Sequence, residues 1–347
     1  MMAGRSEGQP AAGGPALHIP VLLDEAVSAL RVEEGGVYLD GTFGAGGYAR
    51  AILARGGAVV GIDRDPDAIA AGRALAAESG GRLRLIQGRF GELDRLARET
   101  GVVALDGVAL DIGVSSMQFD EAARGFSLRH DAPLDMRMGR DGRTAAEILA
   151  EDDEETIAAI LYHYGEERAS RRIARAIVAD RPTAPYRSTL QLARMIERVA
   201  PAKPGELTHP ATRSFQALRI AVNDELGELA RALFAAEAML APGGRLVVVT
   251  FHSLEDRIVK QFFARRSGRG EAASRLLPGE PARAAPTFVV EPGQPIVAGE
   301  AEREANPRSR SAKLRFGARS AAPARGPDED LLALTRLPRS RPFARRS

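Results

Sequence analysis

The sequence predicts an α/β fold, a Rossmann-like and mainly parallel sheet interrupted by an inserted all-helical domain. Three observations carry this expectation. The stretch Val37–Asp63 reads VYLDGTFGAGGYARAILARGGAVVGID, an apolar run ending in Asp40, a turn with Gly41, Gly44, Gly46 and Gly47, a helix-like segment, and a second apolar run ending in Asp63. That order is strand, tight loop, helix and carboxylate-tipped strand, the expected start of a domain that holds an adenosine-containing cofactor. Next, Asp111 ends one strand and Leu246 opens another, far beyond the roughly 12 residues that a βαβ crossover requires. Last, Ser311–Phe316 reads as a late strand after a long excursion, an addition the plain dinucleotide fold lacks.

The elements follow in order. His18-Ile-Pro-Val-Leu-Leu-Asp24 leads into a short helix that stops near Gly35-Gly36. Val37–Leu39 and Ala58–Ile62 are the first two strands. Asp65-Pro66 starts a helix running to about Ala77, with Pro at a first-turn position where its missing N–H costs nothing. Arg82–Ile86 is the third strand, followed by Gln87-Gly-Arg-Phe90, and Val103–Leu110 contains the fourth, ending at Asp111. Beyond it, Ile157, Ile160, Leu161 and Tyr164 form one helical stripe, Ile173 and Ile177 a second, and Leu190, Ala193 and Ile196 a third. The helix Asp224–Leu240 and the turn Pro242-Gly243-Gly244 introduce the strand Leu246–Thr250, and Leu254–Phe263 is again helical. Residues 267–300, rich in Gly, Pro and Ala, form the excursion. The chain so divides into a disordered lead-in (1–17), a discontinuous α/β domain (18–124 and 223–318), a helical domain (125–222) and a basic flexible tail (319–347).

Composition narrows the chemistry. At 347 residues the chain can bury a full core. With no Cys, disulfides, thiolate metal sites and cysteine nucleophiles are excluded, which fits a reducing cytosol and a cytoplasmic location. It also excludes the covalent attack on a pyrimidine C6 that carbon-5 methylation needs. No stretch approaches 18 uninterrupted apolar residues, so no membrane span is expected. The five His are scattered without paired spacing, so no metal site is expected. Net charge is only +2, but from Arg303 onward twelve basic residues face four acids. A basic end of that kind suits a polyanion, and equally a solvated tail.

The loop residues identify the cofactor class. Glycines at 44, 46 and 47 let the backbone turn sharply and approach a ligand without a Cβ clash. The Asp40 carboxylate beside that loop would repel a diphosphate but suits the ammonium of an amino-acid moiety, which points to S-adenosylmethionine. Asp63, at the tip of the second strand, is placed to accept both ribose hydroxyls. Asp65 is a first-turn acid that caps. Phe90 either packs on the adenine or belongs to the core. Asp111 ends the fourth strand beside the expected reversal of sheet order, where ligands collect. Gln118 reaches the amino-acid end of the donor or lines the pocket.

Taken together, these residues closely resemble the bacterial ribosomal RNA small-subunit methyltransferase H family, also called MraW. The matching stretches are His18-Ile-Pro-Val-Leu, Asp40-Gly-Thr-x-Gly-x-Gly-Gly, Gly61-Ile-Asp-Arg-Asp65, Leu110-Asp-Ile-Gly-Val-Ser-Ser-x-Gln118, Arg124-Gly-Phe-Ser and Pro133-Leu-Asp-Met-Arg-Met. Tyr164-Gly-Glu-Glu, His209-Pro-Ala-Thr-Arg-x-Phe-Gln-Ala-Leu-Arg-Ile, Phe251-His-Ser-Leu-Glu-Asp and Asn306-Pro-Arg-x-Arg-Ser-Ala-Lys-Leu-Arg complete them, in order over about residues 18–316. The resemblance implies a class I S-adenosylmethionine-dependent methyltransferase sheet, with the helical insertion as part of the family's fold. It implies a donor site built from Gly46, Gly47, Tyr48, Asp63, Phe90, Asp111 and Gln118. It further implies transfer of methyl to N4 of cytidine 1402 of 16S rRNA, in the decoding region of the 30S subunit. Position 48 departs from the family pattern, with Tyr where many relatives have His, which argues against a proton-transfer role there.

Residue chemistry leaves the catalytic acceptor open. Cytosine N4 is a poor nucleophile, and an acceptor bonded to one N4 hydrogen would help it pyramidalise and lose a proton. The candidates are the Asp111 carboxylate, a backbone carbonyl of Ile112 to Val114, or Ser115. His252, at the end of the fifth strand, either handles a proton or bonds a loop. His209 and Arg213 either brace the insertion or touch phosphate. Arg219, Arg308, Arg310, Lys313 and Arg315 are candidate phosphate contacts, and Phe215 or Phe251 candidate stacking partners for the base. A methyltransferase for another RNA site, DNA or a small molecule, and a non-catalytic RNA-binding assembly factor, are the competing readings. A homodimer is compatible with everything in the sequence and required by nothing in it.

Overall fold

The computed structural model describes residues 20–113, 121–203, 205, 208–269 and 284–338. Five strands, β1 (Val37–Asp40), β2 (Ala58–Asp63), β3 (Leu83–Gln87), β4 (Leu105–Asp111) and β5 (Leu240–Thr250), run parallel, and each of the first four ends in the loop of a βα unit. Three more, β6 (Phe288–Val289), β7 (Ile296–Val297) and β8 (Lys313–Arg319), complete an eight-stranded sheet in the order β3-β2-β1-β4-β5-β8-β6. β8 lies antiparallel to β5, and both β6 and β7 pair with β8. Strand order reverses between β1 and β4, so their carboxyl ends flank the crevice where ligands collect in open α/β sheets.

Helices cover both faces. Helices α1 (Leu23–Leu30), α2 (Gly47–Ala54) and α3 (Pro66–Glu78) lie on one, where Val27, Leu30 and Ile52 pack with Val59, Leu314 and Phe316. Helix α4 (Leu93–Glu99) lies on the other face, with two later helices described below. Parallel strands buried on both sides read as continuous apolar runs, which is why Val59, Val60 and Ile62 need no alternation.

Between β4 and β5 the described chain forms helices α5 (Ala145–Glu151), α6 (Glu154–Gly165), α7 (Ser170–Asp180), α8 (Thr189–Val199) and α9 (Thr212–Asn223). They share their own core, in which Leu134, Met136, Ile148, Ile157, Ile173 and Phe215 are buried. On the third stripe Leu192 rather than Leu190 is fully buried. Capping boxes at Thr144 and Ser188 fix where α5 and α8 begin. Asp224, at φ 50°, turns the chain from α9 into α10 (Glu225–Met239). With α11 (Ser253–Arg266), α10 packs on the α4 face of the sheet through Leu229, Leu233, Ile258 and Phe262. A short α12 (Glu300–Ala305) precedes β8, and α13 (Glu329–Ala333) follows it.

Three expectations need correction. β5 starts at Leu240, not Leu246, because the expected turn is accommodated as a bulge between the Leu105–Leu240 and Gly107–Arg245 pairs. The excursion contributes β6 and β7, each too short to show a pattern of its own. The tail expected from residue 319 is packed as far as Leu337. Leu331 is 1 % exposed in the core beside α10 and α11, and the Tyr164 hydroxyl donates to the Thr335 carbonyl at 2.9 Å. Asp328 caps this turn by accepting from the Leu331 amide. Residues 1–17 and 339–347 lie outside the described residues. Among the described residues no helix is long and apolar enough to cross a membrane.

Candidate active site

The carboxylate of Asp63 organises the glycine loop from the neighbouring strand. Its Oδ2 accepts from the Gly44 amide and its Oδ1 from the Asp65 amide, both at 2.8 Å. A carboxylate has about four acceptor directions, so capacity for ribose hydroxyls remains. Asp65 accepts from the Asp67 amide at 3.1 Å and caps α3. Gly46 sits at φ 77°, where a side chain would be strained, and a Cβ on Gly47 would lie 2.0 Å from Pro20 Cγ. Pro20 and its neighbours therefore close over the loop. Tyr48 is buried there and donates its hydroxyl to the Val21 carbonyl at 2.6 Å, and burial pushes that phenol well above its usual range. Its side chain ties α2 to the entering chain.

Asp40 and Asp111 stand on either side of the switch point. The Asp40 Oδ1 accepts from the Thr42 amide at 3.2 Å, while its Oδ2 and the Asp111 Oδ1 are buried without a hydrogen-bond partner. Burial pushes Asp40 up to about 7, with the Asp63 charge raising it further, and pushes Asp111 well above the carboxylate range, with the charges of Asp40 and Glu255 raising it further. Two buried acceptors without donors are an unpaid desolvation cost unless a cation answers them. The ammonium and sulfonium of S-adenosylmethionine fit that requirement; a diphosphate does not. Phe90, half-buried at the edge of the α4-face core, opens a 3₁₀ turn whose Gly91 amide donates to Glu228 Oε2 at 2.9 Å. A Cβ on Gly41 would lie 3.4 Å from Phe90 Cβ, so the ring's base adjoins the loop. Ser115 and Gln118 lie outside the described residues.

The carboxyl end of β5 supplies the next wall. A Cβ on Gly113 would lie 3.2 Å from the Phe251 ring, which places Phe251 against the chain leaving β4. His252 is the N-cap of α11 in a capping box with Glu255. Its Nδ1 accepts from the Glu255 amide at 3.4 Å, and Glu255 Oε2 accepts from the Phe251 and His252 amides at 2.8 and 3.2 Å. Its Nε2 is in ion-pair contact with Glu255 Oε1 at 2.9 Å, though off the line of a hydrogen bond. With Nδ1 accepting, a neutral ring carries its proton on Nε2 and has no lone pair left for substrate. This geometry supports the loop-bonding reading of His252.

Glu225, His252 and Glu255 approach one another as metal ligands would, but Arg219 already holds both oxygens of Glu225, at 2.8 and 2.9 Å. That pairing also corrects Arg219 as a phosphate contact, because its guanidinium is spent inside the fold. Phe215 is 5 % exposed in the insertion's core and cannot stack on a base. Arg315 and Lys313 both bond Asp256, at 2.7 and 3.3 Å, and Arg315 is largely buried. Arg310 and Arg213 are exposed, and Arg308 half-buried. His209 is exposed with its Nδ1 accepting from the Ala211 amide at 3.1 Å, so it stiffens the start of α9.

One network was not legible beforehand. Arg124 donates to Asp65 Oδ2 at 2.9 Å and to the carbonyls of Arg137 and Met138 at 3.0 and 2.8 Å. The buried Asn223 accepts from the Met138 amide and donates to the Met136 carbonyl, while its own carbonyl accepts from Arg64 at 3.2 Å. Arg89 pairs with Asp141 at 2.6 Å, and Arg140 with Asp67 at 3.1 Å. The insertion's 135–141 loop is thus fastened to the residues following β2 and β3. Arg124-Gly-Phe-Ser and Pro133-Leu-Asp-Met-Arg-Met stand out as motifs, but no spacing says that they meet.

A parallel sheet closed by an antiparallel β8, with paired carboxylates at its switch point and Asp63 at the tip of β2 holding the glycine loop, defines a class I S-adenosylmethionine-dependent methyltransferase. The model of the MraW methylase family matches residues 15–320. The chain belongs to that family. It is 64% identical to the ribosomal RNA small subunit methyltransferase H of Methylocella silvestris over 97% of this chain and 98% of that one. It is 62% identical to the protein of the same name from Beijerinckia indica, over 97% and 96%. For Methylobacterium nodulans the identity is 60%, over 92% and 96%.

Proposed function

We propose that this enzyme transfers a methyl group from S-adenosylmethionine to the exocyclic N4 of cytidine 1402 of 16S rRNA, within the small ribosomal subunit in the cytoplasm. N4-methylcytidine and S-adenosylhomocysteine are the products. The observation that carries the reading is the pair of unpartnered oxygens on Asp40 and Asp111, beside a helical insertion able to present a macromolecule. The names and high identity of the relatives support the choice of rRNA.

The donor supplies an electrophilic methyl on a sulfonium, so the protein's task is alignment more than activation. Asp40 holds the ammonium, Asp63 the ribose hydroxyls, and Phe90 packs by the adenine, with the loop at Gly44, Gly46 and Gly47 shaping the cavity. Asp111 accepts a hydrogen bond from one N4 hydrogen, helps the nitrogen pyramidalise and takes the proton that leaves after N–C bond formation. Phe251 is the wall against which the base, drawn out of its stack, is set.

Nucleoside mass mapping of small-subunit rRNA from a gene-deletion strain and its parent tests the assignment. Loss of N4-methylation at that cytidine is expected, and an unchanged nucleoside profile would sink it. Labelled donor offered with free 16S rRNA or 30S particles then distinguishes the substrate form. Asp111→Asn should abolish turnover whereas Ser115→Ala should keep it; the reverse result would move the acceptor to Ser115.

A further inference from the structure

Helix α7 carries an exposed arginine ladder that neither the fold nor the donor site uses. Arg171, Arg172 and Arg175 lie on α7, Arg168 lies in the turn just before it, and all four are exposed. The opposite face, Ile173, Ala174 and Ile177, is buried in the insertion's core. Arg175 has a loose exposed partner, with its Nε 3.5 Å from Glu154. The other three have none among the described residues. The nearest acids in sequence are engaged, since Glu167 is buried and accepts from the Ala169 amide at 2.7 Å, and Glu166 pairs with Arg257 at 3.8 Å.

The position of the ladder is against the helix's own interest. The first turn of α7 contains Arg171 and Arg172 and no acid, whereas α6 opens with Glu154 and Glu155. Cations at a helix N-terminus oppose the macrodipole, and the two fields add into a strongly positive spot. Such a spot is unfavourable alone and favourable once a polyanion covers it. Just before it, on the last turns of α6, Tyr162 is 56% exposed and stands edge-on to His163 with ring centroids 5.0 Å apart. Basic residues track a nucleic-acid backbone and an exposed aromatic can stack an unpaired base, and this short stretch of chain offers both.

We infer that Arg168, in the turn before α7, and Arg171 and Arg172, on its first turn, together with the exposed Tyr162 near the end of α6, form a docking surface for the phosphate backbone of the RNA substrate. This rests on the RNA reading above. The ladder lies on the insertion and includes none of the donor-site residues, so it supplies affinity and orientation rather than chemistry.

The test is the triple variant Arg168→Gln, Arg171→Gln, Arg172→Gln, read by anisotropy against a labelled 16S decoding-region fragment and by filter binding to 30S subunits. At about 100 mM salt, RNA affinity should fall by roughly tenfold or more. The slope of log affinity against log salt should flatten by about 2, from three contacts at roughly 0.7 each. Donor affinity should hold, and the melting temperature should hold or rise because dipole repulsion is relieved. Tyr162→Ala should weaken RNA binding and leave the salt slope unchanged. Wild-type affinity and slope in the triple variant would overturn the inference, as would a matched fall in donor affinity and melting temperature, which marks a structural role. If the wild-type enzyme itself neither binds nor methylates small-subunit RNA, the substrate reading has failed first, and the two failures are told apart by the wild-type control.

Discussion

The backbone amide of Asp111 donates to the Thr42 hydroxyl at 2.8 Å. This single bond ties the end of β4 to the glycine loop that follows β1, across the point where strand order reverses. It sets the separation of the two unpartnered carboxylates, so the geometry of the donor site depends on a side chain that contacts neither Asp40 Oδ2 nor the substrate base. Thr42→Val should leave the amide unsatisfied, at a cost of about 1–3 kcal/mol, and weaken donor affinity by roughly tenfold. Thr42→Ser should recover most of both. Calorimetric titration of the donor with the two variants checks this, and equal affinities in Val and Ser would contradict it.

Proton linkage should be visible in the ligand-free enzyme. Asp40 has its folded value raised to about 7, above an unfolded carboxylate near 4. The folded chain then keeps a proton that the unfolded chain has lost, so this group's contribution to stability falls as pH rises from about 4 to about 7. Asp111 shifts in the same direction, chiefly through burial. A bound ammonium favours the ionised form, so donor affinity should rise with pH up to about 7, and binding at pH 6 should release a proton. Titration in two buffers of different ionisation enthalpy measures that release, and Asp40→Asn should lessen it and weaken binding at least tenfold.

Arg124 should behave as a structural clasp. Its guanidinium joins the nearly buried Asp65 to the carbonyls of Arg137 and Met138. Removing one member of a buried ion pair leaves the other uncompensated, so Arg124→Ala should cost about 3 kcal/mol. Limited proteolysis should then cut within the 135–142 loop, and an uncut loop would show that the Asn223 contacts suffice to hold it.

The packed residues after β8 make a prediction that a loose tail would not. Leu331→Ala should cost about 2–4 kcal/mol, because the side chain fills the core beside α10 and α11. Truncation after residue 319 should cost at least as much and free the Tyr164 hydroxyl. Thermal unfolding decides, and an unchanged midpoint on truncation would refute the packing.

What was legible in the sequence follows from where the information lies. Asp40, Asp63 and Asp111 each end an apolar run, so their place at the carboxyl edge needs only local pattern. Thr42 was not legible, since its bond depends on β4 lying beside β1. Arg219 and Phe215 sit in a distinctive motif, but a motif does not say which face of α9 is buried. Half of that face turns into the insertion's core and the other half toward Glu225. The 328–333 turn was hidden for a different reason: one turn of helix among Pro and Arg is too short to show a period.

His252 separates a structural from a chemical role for the segment after β5. Its Nδ1 accepts an amide hydrogen and its Nε2 faces Glu255 without a hydrogen bond, so the ring is seated at the start of α11. Asn is a good N-cap and can accept the same amide hydrogen, whereas Ala cannot. His252→Asn should therefore keep the fold and retain turnover within a few-fold. His252→Ala should lose about 1 kcal/mol of stability, with turnover falling as the helix start shifts Phe251. If His252 were the proton acceptor, both substitutions would lower turnover by about a hundredfold or more. Single-turnover rates from pH 6 to pH 9 for the two variants distinguish these outcomes. A hundredfold loss in His252→Asn with an intact melting temperature would return the histidine to the chemistry.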